Sequence, residues 1–200
     1  MRNTLLATTV AIVLLAGCGQ SADNRATNAS AAKSGPVLPV TDGNAAMADM
    51  HNSPEMQAMM QSMQGAPMAT DAAHQRMHER HEGMEQIGKS FKIAGRTLKS
   101  ASPDLAQVRT SAATIATLAA KTPTWFPAGT GPDLGKTGAK PEIWQKPADF
   151  VAKDQALRQA SAAFDAAAKA GDMTVIQARF GELGKTCKAC HDSYRSEMHH

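Results

Sequence analysis

Cysteine is scarce in this 200-residue chain: Cys18, Cys187 and Cys190 are the whole complement. The last two form one C-x-x-C pair, and no second pair exists to complete the four-ligand set a structural zinc site wants. A thioredoxin-like redox pair would sit in a βαβ context, and no strand pattern precedes Cys187. Charge of one sign is missing as well. The 21 Lys and Arg stand against 18 Asp and Glu, a near balance that gives no reason to expect a nucleic-acid partner. Beyond the first segment, no apolar run approaches the ~20 residues of a membrane-spanning helix. No Ser/His/Asp set, carboxylate pair or phosphate-binding loop marks an active site, so the expectation is a protein that is not an enzyme.

The first segment has a different character. Arg2 is followed by an apolar run from Leu5 to Ala16, too short to span a bilayer and in the pattern of an export signal over residues 1–17. It ends in Leu15-Ala16-Gly17-Cys18, which resembles the bacterial lipobox, in which the cysteine is lipidated and becomes the mature N-terminus. The implied location is the periplasm, with Cys18 anchoring the chain to a bacterial membrane. Residues 18–72 are then expected to be a lipidated, Met-rich tether. They are rich in Ala, Ser, Asn, Gly, Pro and Met and show no sustained period. As a coil such a tether would typically reach about 40 Å.

Helical periods dominate the remaining domain, residues 73–200. On a first helix, Met77, Arg80, Met84, Ile87, Gly88, Phe91, Ala94, Gly95 and Leu98 share one face. Ser102-Pro103 reads as an N-cap with proline at the first helical position. It opens a second helix striped by Leu105, Val108, Ala112, Ile115 and Ala119 and stopped near Pro123. A Gly/Pro-rich loop follows, with Trp125, Phe126, Ile143 and Trp144 expected to fold back on the core. A third helix runs from about Pro147 to Gly171, and Asp172 caps a fourth. The fold class is all-α, an antiparallel four-helix bundle with its cofactor between facing helices. Many core positions are Ala or Gly, and aromatics make up only 4% of the chain. Such a core is thin, and a bulky group would fill it.

The group is indicated by Cys187-Lys188-Ala189-Cys190-His191. C-x-x-C-H is the attachment signature of a c-type haem: the thiols add across the vinyl groups, and the histidine can reach the iron. On the fourth helix Ile176, Phe180, Leu183, Cys187, Cys190, His191 and Tyr194 fall in one sector, so the motif is expected on the buried face. One covalent haem c uses both thiols. With Cys18 lipidated, no thiol remains for a disulfide.

The residues around the motif resemble a known family. Phe180-Gly181 leads into Gly184, then Cys187 to His191, then Tyr194-Arg195; upstream lie Gly129-Thr130, Lys140-Pro141-Glu142-Ile143-Trp144 and Arg80-x-x-x-Met84-x-x-Ile87-Gly88. Together they resemble the class II cytochromes c, the cytochrome c' family, over residues 74–197. The resemblance implies haem bound through Cys187 and Cys190, with His191 as proximal iron ligand. It implies Arg195 near the proximal face or a propionate, and Arg80 in contact with a propionate; from spacing alone, Arg80 reads as a solvated surface cation. It also places Met84 at the distal position. In this family an apolar residue there often leaves the iron five-coordinate and open to nitric oxide or carbon monoxide, whereas in low-spin members a methionine binds iron. The expected function is periplasmic electron transfer with Met84 as sixth ligand and redox proteins as partners. The alternative is a five-coordinate binder of nitric oxide or carbon monoxide. Methionine also fills irregular cores, so a packing role for Met84 stays open. Family bundles often pair as homodimers through their first two helices.

A second cluster lies upstream: Met47, Met50, Met56, Met59, Met60, Met63 and Met68, then His74, Met77, His78 and His81. Thioethers suit Cu(I) and imidazole several transition metals, so a copper-binding lipoprotein is a third reading. The plainer readings are a low-complexity linker with a solvated histidine face, or a short helix over residues 53–64 covering a hydrophobic surface.

Overall fold

The structure is a computed structural model that describes residues 53–197. The expected leader, Cys18, Met47 and Met50 lie outside the described residues. The described chain forms helices α1 (Pro54–Gln64), α2 (Thr70–Leu98), α3 (Leu105–Ala119), α4 (Glu142–Gln145), α5 (Pro147–Ala170) and α6 (Met173–Tyr194), with a 3-10 turn at Thr122–Thr124. Among the described residues the only β pairing is an isolated bridge between Ala139 and Arg195. No helix there is long and apolar enough to cross a membrane.

Helices α2, α3, α5 and α6 make the expected four-helix bundle. α2 packs on α3, α3 on α5 and α5 on α6. The core is built from the periodic positions: Val108, Ala112, Ile115 and Ala119 of α3, Phe164 and Ala168 of α5, and Ile176 and Leu183 of α6 are completely buried. The α5–α6 corner follows the sequence closely. Gly171 takes φ 88°, a left-handed conformation that glycine adopts without a Cβ penalty, and its N–H returns to Ala167 O. The Asp172 carboxylate then accepts from the N–H groups of Thr174 and Val175 at 2.9 and 3.2 Å.

Two helix starts differ from expectation. α3 is capped by Asp104, not Ser102: its carboxylate accepts from Ala106 and Gln107 N–H at 2.9 and 3.2 Å. A charged acceptor at a helix N-terminus gains from the dipole as well as the hydrogen bonds, which leaves Pro103 outside the helix. α2 begins at Thr70 rather than about residue 73.

The larger correction concerns the tether, whose expected end at residue 72 takes in ordered helix. Residues 54–64 form α1, with Ser53 accepting from Met56 N–H at 3.3 Å and Pro54 in the first turn. Met56, Met59 and Met63, one face of this helix, are 2%, 3% and 3% exposed. They join the core, with α1 lying against α5. Ala128 N–H bonds Ser62 O at 2.9 Å, and Arg158 reaches Glu55 at 3.1 Å. These thioethers are packed in the core.

Candidate haem site

The loop between α3 and α5 closes over the start of α2. Trp125, Phe126 and Ile143 are buried, and Trp144 Nε1 donates to the carbonyls of Phe126 and Pro127, both at 3.1 Å. Inside this loop lies Arg80, only 5% exposed. Its Nη1 donates to Trp125 O and Thr130 Oγ1 at 3.2 and 3.3 Å, and its Nη2 to Thr130 O and Thr137 Oγ1, both at 3.0 Å. The guanidinium carbon sits 5.0 Å from the Phe126 ring centroid. Burial pulls its pKa down to about 10, so it is charged at neutral pH. The solvated-cation reading of Arg80 therefore fails. Among the described residues no carboxylate lies within ion-pair reach of it. A buried charge without a counter-ion is costly, and an incoming anion would lower that cost.

The haem motif is set on α6. Leu183 and Tyr194 are buried, Cys187 and Cys190 are half-buried free thiols, and His191 is exposed at its outer edge. The expectation of a wholly buried motif is thus met by the thiols in part and not by the imidazole. Burial raises the Cys187 pKa. It pushes Cys190 up to about 11, with the Asp154 charge adding to the effect. Partial desolvation of the imidazole lowers the His191 pKa and nearby Arg195 lowers it further, against Asp192. The neutral imidazole, the form that binds metal, is favoured. Arg195 itself is exposed. Its segment is held by backbone bonds from Lys140 N–H to Tyr194 O and from Ser196 N–H to Gly138 O, both 2.9 Å. The Tyr194 hydroxyl donates to Asp149 at 2.5 Å.

Across from the motif stands α2. The two helices meet where Phe91 stacks on Phe180, centroids 4.3 Å apart. A methyl at Gly184 would lie 3.2 Å from the Phe91 ring, and one at Gly95 would lie 3.0 Å from the Phe180 ring. The pairs 91/184 and 95/180 define an antiparallel register. Carried toward the motif, it sets Gly88 level with Cys187 and Met84 level with His191. Here the helices stand apart: a methyl at Gly88 would meet nothing within 4 Å. Met84 is half-buried and packs against the core.

These residues fit a covalent haem on two counts: no protein atom crowds Gly88, which the register sets level with Cys187, and a buried arginine lacks an anion. His74, His78 and His81 are exposed. Among the described residues no group of three or more His, Cys, Asp or Glu could hold a metal.

A helical bundle with a thiol pair and histidine on its last helix, facing an open seam, is the architecture of a c-type haem protein. Comparison with known proteins specifies it. The family model described as Cytochrome C' matches residues 75–195, and the chain belongs to that family. Cytochrome c' of Alcaligenes xylosoxydans xylosoxydans is 40% identical over 91 residues, covering 46% of this chain and 68% of that protein. Cytochrome c' from Thermochromatium tepidum superposes with TM-score 0.59 at 27% identity, over 66% of this chain and all of that one. A ferrous variant of cytochrome c prime from Alcaligenes xylosoxidans with bound NO gives TM-score 0.57 at 31% identity, over 63% and 97%. The protein is accordingly a c-type cytochrome with covalent haem c, of a bacterial periplasmic family.

Gly83 and Trp125 play a part that the sequence reading did not assign. A methyl at Gly83 would lie 2.2 Å from Trp125 Cη2. A glycine inside a strong helical period is the one signal that pointed there; its partner, 42 residues away, left none.

Proposed function

We propose that this protein is a periplasmic electron carrier, not an enzyme. In it Cys187 and Cys190 hold the haem by thioether bonds, His191 is the proximal ligand and Met84 the sixth. The observation that carries the reading is the α2–α6 register, with Met84 level with His191 across the open seam at Gly88. A haem held there supplies one-electron chemistry, and a thioether ligand raises its potential. The chain's own residues do the rest. Met84 closes the sixth position against water and gases, and the neutral His191 imidazole is ready to ligate. Arg80 offers a buried positive charge to a propionate, and Arg195 adds charge beside His191. Lipidation at Cys18 would keep the domain at a membrane, within reach of redox partners.

A second reading has its own support. The nitric-oxide complex of the Alcaligenes relative favours an iron left five-coordinate, with Met84 only packing above it and nitric oxide or carbon monoxide as ligand. Optical spectroscopy separates the two. The oxidised carrier shows a low-spin spectrum with a sulfur-to-iron charge-transfer band. Met84→Ala abolishes that band, gives a high-spin spectrum and raises carbon monoxide affinity at least about tenfold, the equivalent of ~1.4 kcal/mol. A wild-type spectrum that is already high-spin, and shifts readily on adding either gas, rejects the carrier in favour of the gas binder.

A further inference from the structure

The turn of α2 that carries Met84 is gripped from behind. Trp125 follows the 3-10 turn and is 4% exposed. Its N–H bonds Thr122 O at 3.0 Å. Thr122 is fully buried, and its hydroxyl donates to Ala119 O at 2.8 Å and also to Asp154. Trp125 is therefore anchored, through its backbone and Thr122, to the end of α3 and to α5. It meets α2 twice. Its carbonyl accepts from Arg80, and its six-membered ring lies flush on the backbone at Gly83. A methyl there would sit 2.2 Å from Cη2, 2.5 Å from Cζ2 and 3.0 Å from Cζ3. Only glycine permits this approach, because ordinary carbon contacts begin at about 3.5 Å.

We infer that the Gly83–Trp125 contact sets the standoff of α2 from the haem seam, and so determines whether Met84 reaches the iron. Gly83 precedes Met84 directly, and its face is turned about 100° from Met84. A shift of the helix at Gly83 is therefore inherited by Met84 whichever way the helix yields. Relieving a methyl clash at Gly83 requires the ring and the helix to part by about 1 Å. Functional ligands must be held to about 0.5 Å, so this displacement is large enough to take the Met84 sulfur out of ligating distance of the iron. Gly83 and Trp125 are positioning residues that act through Met84. The inference rests on Met84 standing over the sixth position, which Met84→Ala tests separately.

The test uses the full-length haem-loaded protein. Gly83→Ala should lose the sulfur-to-iron band and change carbon monoxide affinity at least about tenfold. Trp125→Phe removes the ring atoms that meet Gly83 but keeps the carbonyl for Arg80, and should weaken the band in part. The double variant has room for the methyl, and both readouts should return toward wild type. A folded Gly83→Ala protein with the wild-type band and affinity overturns the inference. So does an unchanged band in Trp125→Phe, even if Gly83→Ala does not accumulate. Should the wild type prove high-spin, the ligand role of Met84 fails. The standoff is then read in carbon monoxide affinity alone, which Gly83→Ala must still shift and the double variant restore.

Discussion

The two seams of the bundle are built from different residues. Between α3 and α5 the space is filled: Val108, Ile115, Val151 and Phe164 are completely buried, Trp125 and Phe126 close one end, and the methionines of α1 add to the packing on α5. Between α2 and α6 the side chains facing the motif are small or half-buried, with Gly88 open and Met84, Cys187 and Cys190 only partly covered. Both seams come from amphipathic helices of similar period. Residue volume, not helix propensity, decides which seam closes on protein atoms and which holds room for a cofactor. Stability is concentrated on the filled side and the haem motif on the open one.

The largest effect expected from this division comes from the open side. Replacing both thiols, Cys187→Ser with Cys190→Ser, removes both thioether bonds, and covalent haem on a denaturing gel should fall to nothing. Haem that still migrates with the doubly substituted chain would show that attachment lies elsewhere.

On the filled side the expectation is energetic. Met59 is 3% exposed, and trimming a buried methionine to alanine costs about 2–5 kcal/mol, as transfer energy plus a cavity. Met59→Ala should lower the urea midpoint accordingly and leave the haem spectrum unchanged. A spectral shift as pronounced as the stability loss would mean that the two seams are mechanically joined.

The division was partly legible in the sequence. The four bundle helices follow from their 3.6-residue stripes, Gly171 and Asp172 mark their corner, and the C-x-x-C-H motif places the open seam on α6. The methionine-rich segment was harder. Ser53-Pro54 is a sound helix start, but Met is common in linkers and cores alike, and nothing local shows that α5 would receive Met56, Met59 and Met63. Arg80 reads locally as a surface cation. Its burial depends on Trp125, Thr130 and Thr137, more than 40 residues on, and only the family resemblance pointed inward. The Gly83–Trp125 contact is invisible for the same reason: it is a product of packing between distant segments.

The smallest expected effect tests the group that touches both sides. Asp154 on α5 is buried. It accepts from Thr122 at the end of α3 and from Arg158 Nε at 3.0 Å, and Arg158 continues to Glu55 of α1. Its charge also bears on Cys190 at the haem motif. Burial raises its pKa above 3.8 in spite of the opposing pull of Thr122 and Arg158. The folded protein thus keeps a proton on Asp154 at pH values where the unfolded chain has released it. The stabilisation from this proton is complete below pH 3.8 and is lost as pH rises through the folded-state value. Asp154→Asn carries no titrating group there. In urea unfolding at successive pH values, wild type should gain on the variant as pH falls through that window, and the difference should be flat above it. A difference that runs the other way would mean that the Arg158 and Thr122 contacts outweigh burial, and that Asp154 belongs to the filled side as an ordinary ion pair.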